Sequence, residues 1–410
     1  MSEPSSLERP LPPKGRFSYG WVIVAACTLM IAVTYGLMYS YSVFFKPLAE
    51  QFHLDRATVS AVYSISFIIR GVFSIGVGWL ADRYGAVKVM VFCGLMLGLG
   101  LALSSRVVEL WQLYLTYGVI EAIGLSGTFG IGTAMVSRWF PKNRGLALGI
   151  VSTGSGLGTL LIVPVTERLI NAIGWSPTFL VCGIAAGVVM VAAALFLRPA
   201  PRPAAGAGGA TAKPPAKTTL GQAAKDPRMI LFIGAVFLFF FGIQVVMLHL
   251  VSYATDAGIS PLVAASFISV IGAVSIAGRL LTGAGTDKIG IYPTLTFTRI
   301  FLAASFICLL FTKSLWAFYL FAVIFGFPYG GEIPQIPLFI GKYWGTEAMA
   351  TLVGLNTFVI TVGGAAGSWL AGKIYDMTGS YQGAFLAGAA ASLLSLVLIL
   401  ILKRQNRAAA

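Results

Sequence analysis

Of the 410 residues, 57% are hydrophobic and 10% are charged, against roughly 25% charged in an ordinary soluble domain. That excludes a soluble globular chain. The net charge of +14 is accounted for by basic residues held on the cytoplasmic side of a membrane, with anionic lipid as an aid, so no nucleic acid is expected as a partner. In chain order, apolar segments of spanning length fall at about 19–42, 57–80, 89–105, 111–136, 146–167, 176–197, 229–253, 262–283, 292–311, 315–340, 350–372 and 382–402. The expected fold class is an all-α membrane protein with 12 transmembrane helices.

Between spans 6 and 7 the chain is rich in Pro, Ala, Gly and Lys with no apolar run, a composition that reads as a flexible connection. The organisation is therefore a cytoplasmic tail (1–18), a six-helix bundle (19–197), a cytoplasmic linker (198–228), a second six-helix bundle (229–402) and a cytoplasmic tail (403–410). Polar residues precede the first span, so a cleavable leader is not expected. With the N-terminus inside, 13 basic residues fall on cytoplasmic connections and six on the other side. Both termini are thus expected in the cytoplasm, with the chain in the cell inner membrane. Cys27, Cys93, Cys182 and Cys308 lie in different spans without metal-ligand spacing, and neither a metal nor a cofactor is expected.

One short sequence occurs at matching places in both halves. Gly78-Trp79-Leu80-Ala81-Asp82-Arg83-Tyr84-Gly85 ends span 2, and Gly283-Ala284-Gly285-Thr286-Asp287-Lys288-Ile289-Gly290 ends span 8, 205 residues later. The same offset links Gly149 to Gly354, Gly158 to Gly363 and Gly174 to Gly379. Gly372, Asp376 and Gly379 echo the motif once more, hinting at a three-helix unit used four times. Two pseudo-symmetric bundles follow, an arrangement typical of transporters with a site between the repeats. Glycines permit a tight turn and close helix approach, while the Asp can meet a helix N-terminus or a neighbouring Arg and so latch the halves.

This duplicated pattern resembles the loop signature of the major facilitator superfamily, which implies the major facilitator fold. Trp139-Phe140-Pro141-Lys142-Asn143-Arg144-Gly145-Leu146-Ala147-Leu148-Gly149 is similar to the sequence that opens helix 5 in the monocarboxylate transporter family. Val43-Phe44-Phe45-Lys46 is a second local match, whereas only Ser18-Tyr19-Gly20-Trp21 remains of the family's motif at the start of helix 1.

An ionised side chain at the centre of a spanning helix costs about 2.5–3.5 kcal/mol on insertion scales, so one that persists marks a function or a buried partner. Arg279 lies eight residues before Asp287, about 12 Å inside the end of its helix. Its planar guanidinium matches a carboxylate, and the resemblance implies that it is the carboxylate anchor of helix 8. Two family positions are altered. Ser275 stands where relatives often carry an Asp one turn from that Arg, and Tyr39 stands where they carry a Lys in helix 1. A proton would need another carrier, and the candidates are His249 and Asp256 at the outer end of span 7, Glu121 in span 4 and Glu332 in span 10. The alternatives are an interfacial His249, and structural pairing of Glu121 and Glu332. Arg70 corresponds by the offset to position 275 and either contacts substrate or is satisfied against helix 11. Tyr117, Tyr329, Asn356 and Phe358 are further substrate-site candidates because the resemblance implies a cavity lined by helices 1, 4, 7, 8, 10 and 11; packing between helices is the alternative for each. Pro328, Pro334 and Pro337 let span 10 bend near Tyr329 as a gate.

The expected protein is a secondary transporter, not an enzyme, that moves a small monocarboxylate anion such as L-lactate or pyruvate with a proton by alternating access. An oxalate/formate-type exchanger, a family that adds a Lys in helix 11, and a non-transporting sensor are the alternatives. Residues 350–372 contain no Lys. An accessory subunit is left open.

Overall fold

The computed structural model describes residues 19–53, 56–200 and 220–408. Within them, 12 helices are long and apolar enough to cross a membrane. They are α1 (Tyr19–Phe52), α2 (Arg56–Tyr84), α3 (Ala86–Ser104), α4 (Leu110–Trp139), α5 (Arg144–Ile173), α6 (Trp175–Leu195), α7 (Pro227–Asp256), α8 (Pro261–Ile289), α9 (Ile291–Leu310), α10 (Leu315–Tyr343), α11 (Met349–Thr378) and α12 (Gln382–Ala408). A short helix, Leu220–Lys225, falls inside the segment expected as linker. Most of that segment, like the N-terminal tail and the Asp376 side chain, lies outside the described residues. Among the described residues there is no strand. The last helix continues to Ala408, through most of what reads as a polar tail, because Lys403, Arg404 and Gln405 are good helix formers.

Both halves pack alike. Helix α1 lies on α5 as α7 lies on α11, α3 on α6 as α9 on α12, and α2 on α4 as α8 on α10. The halves meet where α2 crosses α11 and α5 crosses α8. Helices in lipid gain no hydrophobic advantage from touching, so close backbone approach at small residues has to supply the contact. A Cβ on Gly158 of α5 would strike the Ala32 carbonyl oxygen, and one on Gly363 of α11 would lie 2.7 Å from the Phe237 oxygen. Ala32 and Phe237 are separated by the same offset as the two glycines. The duplication is thus kept at the level of single contacts.

Two helices depart from regular geometry near the middle of the bundle. Tyr114–Glu121 of α4 is a π-helical segment, a rare form that often marks functional positions. Helix α10 runs unbroken to Glu332, through Pro328, and resumes at Gln335, so its break falls at Ile333 and Pro334 rather than at Tyr329. Pro334 has no N–H to continue the ladder, and the bend expected beside Tyr329 is moved one turn along the chain.

A buried ion pair holds the second bundle together. Arg299 of α9 donates from Nη1 and Nη2 to the two carboxylate oxygens of Glu332 at 2.9 and 2.8 Å, and both side chains are 0% exposed. Its Nε donates to Ser395 Oγ of α12 at 3.0 Å, and that hydroxyl donates on to the Ala235 carbonyl of α7. Four helices are tied through one guanidinium. Glu332 is therefore engaged by Arg299, a residue that the sequence reading passed over.

Candidate functional site

The duplicated motif sits where the two halves close on each other. A Cβ on Gly78 would strike the Ala350 carbonyl of α11, and one on Gly283 would strike the Gly145 carbonyl of α5. Gly85 and Gly290 have φ of +99° and +87°, the left-handed side that only glycine adopts without strain, and they turn the chain into α3 and α9. Between the glycines, each Asp reaches the N-terminus of a helix in the other half. Asp82 accepts from the Thr351 backbone N–H and hydroxyl, both at 2.9 Å, and Asp287 accepts from the Gly145 and Leu146 N–H groups, both at 2.9 Å. Helix N-termini carry unpaired N–H groups and partial positive charge, so each carboxylate is held by donors and dipole together. Arg138 of α4 adds a 3.0 Å ion pair to Asp82 and donates to the carbonyls of Thr346 and Glu347. Arg83 stacks on Trp79 and Tyr84, while Lys288 is exposed. The described ends of the chain lie here too, since Tyr19 packs on Trp139 and Asn406 donates to the Tyr292 hydroxyl. We refer to this as the motif end.

These contacts lead to a first expectation. Asp82→Asn and Asp287→Asn keep the shape but replace a carboxylate with an amide that accepts through one oxygen only, weakening the contact that closes the halves. Turnover is expected to fall several-fold while substrate affinity changes by less than twofold. Calorimetric binding measured beside transport rate checks this, and a large affinity loss at normal turnover would contradict it.

Deeper in the bundle, Arg279 is placed by α8 against α5. Its carbonyl oxygen would lie 2.7 Å from a Cβ on Gly149, and its Nη1 3.2 Å from one on Gly156, so missing side chains on α5 make its room. The side chain is buried, with 4% of the residue exposed. Nη1 donates to Ser275 Oγ at 3.1 Å, Nε has no partner, and the guanidinium carbon stands 5.9 Å from the Tyr329 ring. Tyr39 and Tyr35 of α1 are also close enough to feel its charge. Among the described residues no carboxylate pairs with it. Arg299 is the useful contrast, because there a buried guanidinium is filled. Arg279 keeps a fork open.

Arg70 of α2 is the second buried guanidinium without a carboxylate at ion-pair distance among the described residues. It rests on the Phe67 and Tyr35 rings at 4.9 and 5.5 Å, donates to Met38 Sδ at 2.6 Å, and has an unpartnered Nε. Across from it lies Glu121 on the π-helical segment of α4, fully buried, with Oε2 accepting from Ser66 at 3.1 Å and Oε1 unpartnered. Tyr117 shares that segment, packs on Tyr41 at 4.7 Å and leaves its hydroxyl unpartnered. Tyr63 and Tyr39 stand close enough to Arg70 and Tyr329 to join the two clusters electrostatically.

The remaining candidates make other contacts. Asn356 is buried, with Nδ2 donating to the Leu352 carbonyl and Oδ1 unpartnered. Phe358 lines a groove between α2 and α11 with Ile68, Thr361 and Trp369, and Trp369 is 67% exposed. His249 bonds the Ser368 carbonyl through Nε2 at 3.1 Å and packs on Tyr381, whereas Asp256 is exposed and accepts from Tyr375 at 3.3 Å. The sequence pointed to Tyr39 only as a replaced family position and gave no pointer to Tyr35 or Tyr63, since tyrosines in an aromatic-rich chain carry no signal alone. Arg299 did carry one, as a charge inside a span.

Two repeated six-helix halves, closed on each other at one end through Asp82 and Asp287 and holding buried cationic side chains deeper in the bundle, have the architecture of a membrane transporter. The family model described as Major Facilitator Superfamily matches residues 27–368, and the chain belongs to that superfamily. It is similar to monocarboxylate transporters: 26% identical to monocarboxylate transporter 12 of Xenopus laevis, over 97% of this chain and 91% of the relative. Identity to monocarboxylate transporter 4 of Mus musculus is 29%, over 93% and 83%. The uncharacterized MFS-type transporter YcxA of Bacillus subtilis is 29% identical over 83% and 85%. Among solved structures, FucP in the outward conformation shares the fold with a TM-score of 0.75 at 16% identity, over 94% of this chain and 99% of its own. The human organic anion transporter MFSD10 does so at 0.70 and 15%, over 93% and 98%.

Proposed function

We propose that this superfamily member carries a small monocarboxylate, L-lactate or pyruvate, together with a proton, by rocking its two halves about the site at Arg279. The observation that carries the reading is the open guanidinium fork of Arg279, buried beside Tyr329 and set against α5 of the other half. A ligand carboxylate there would supply the partner that Arg299 finds in Glu332, and would bridge surfaces that must part during transport. The monocarboxylate transporters among the relatives support the substrate class. With that end and both termini in the cytoplasm, as the basic residues argue, closure at the motif end corresponds to a state shut to the cytoplasm. A bacterial inner membrane is the proposed setting.

A second reading, exchange of a dicarboxylate such as oxalate, draws on Arg70 as another buried cation. Uptake of radiolabelled L-lactate into proteoliposomes separates the two. The symport reading expects accumulation under an inward proton gradient, none under membrane potential alone, and weak competition by oxalate, because a second buried carboxylate would lack a partner. Accumulation driven by potential alone would remove the one-to-one stoichiometry. Equal competition by oxalate that Arg70→Gln abolishes would favour the exchanger.

A further inference from the structure

We infer that the coupled proton is carried by Glu121, with Arg70 as its charge partner, on the first half of the molecule and apart from the substrate anchor on the second. This rests on the symport reading and names the group that reading leaves unassigned. Of the acidic candidates, Glu332 is filled on both oxygens by Arg299, and Asp256 is exposed. His249 is held by the Ser368 carbonyl on α11 and packs on Tyr381. Glu121 alone among them is a buried carboxyl with an oxygen that accepts nothing, and an ionised carboxylate held that way is unfavourable, whereas a protonated one can donate.

The surroundings supply both states. When protonated, Glu121 has the unpartnered Tyr117 hydroxyl on its own π-helical segment as a candidate acceptor, while Ser66 holds the other oxygen. When the proton leaves to water, Arg70 is the nearby cation, with a free Nε and no carboxylate of its own. From α2 the groups facing Glu121 are Ser66, Arg70 and Tyr63; from its own helix Tyr117; and from α3 only the backbone around Gly100, which packs on it. Arg70 in turn precedes Gly71, where a Cβ would stand 2.5 Å from Thr361 Oγ1 of α11. Drawing Arg70 from Tyr35 and Phe67 toward an ionised Glu121 would therefore act on the α2 and α11 contact between the halves. A proton on Glu121 and a monoanion on Arg279 cross together with no net charge.

The test uses the full chain in lipid and has two arms. In proteoliposomes, Glu121→Gln is expected to keep lactate exchange at equal pH within about threefold of the native protein and to lose accumulation under a proton gradient. In infrared difference spectra between acid and alkaline pH, taken without lactate, the native protein is expected to show a protonated-carboxyl band that Glu121→Gln lacks. Should Glu121→Gln fail to fold, Ser66→Ala serves instead: loss of its hydrogen bond should shift that band to higher wavenumber. A band that survives Glu121→Gln, or one that Ser66→Ala leaves unmoved, overturns the assignment, as does undiminished accumulation by Glu121→Gln. A native protein that shows the Glu121 band yet carries no lactate would sink the substrate reading and leave the proton site standing.

Discussion

Arg279→Lys is expected to lower lactate transport efficiency by about 10- to 100-fold while leaving the protein folded and monodisperse. The cause is geometric. A guanidinium offers two parallel N–H donors to a carboxylate, and an ammonium offers one charge without the fork, so the variant keeps the attraction and loses a charge-assisted hydrogen bond worth about 1.5–3 kcal/mol. At 1.4 kcal/mol per factor of ten, that spans the stated range. The pocket amplifies the effect. Gly149 and Gly156 shape a space around the present side chain, and the shorter reach of Lys would leave its charge displaced from Tyr329. Initial rates of uptake against lactate concentration, with the native protein in parallel, are the measurement. A variant with native affinity and rate would take Arg279 out of the site.

The fold was legible because its signals are strong and redundant: long apolar spans, a charge bias across them, and one motif repeated at a fixed offset. The repeat even foretold atomic contacts, for Asp82 and Asp287 capture equivalent helix N-termini, at Thr351 and Leu146, that are separated by that same offset. Of the proposed site, Arg279 was the most legible residue, because a charge deep in a span is conspicuous and the resemblance implied a role for it. Asn356 and Phe358 were chosen by helix membership alone, and membership does not set which way a side chain faces. Phe358 falls in a groove beside the exposed Trp369, a rotation about the helix axis that helix membership does not fix. Glu332 shows the opposite difficulty. Its partner, Arg299, is 33 residues away on another helix, and no spacing rule relates them.

Arg299→Met is expected to cause a large loss of stability, about 3–5 kcal/mol, and Glu332→Leu a similar one, because each strands an uncompensated charge where no water reaches. The double variant should behave differently. Met and Leu approximate the volumes they replace, and apolar replacement of a whole buried pair is often neutral or stabilising. The neighbouring hydroxyls do not depend on the pair, since Ser395 already donates to the Ala235 carbonyl at 2.7 Å and Thr298 to the Leu295 carbonyl at 3.0 Å. Thermal unfolding midpoints in detergent should therefore drop sharply for each single variant and return most of the way for the double. If instead the two losses add, the pair is not the unit of stability, and the hydrogen bonds to Ser395 and Leu295 carry more of it. Transport by the double variant then bears on α10. Glu332 is the last residue before the helix breaks at Ile333 and Pro334, so the pair anchors the segment on one side of the break to α9. With that anchor gone but the core refilled, a gate that hinges at the break should still open, and a rate within a few-fold of native would separate holding the bundle together from moving it.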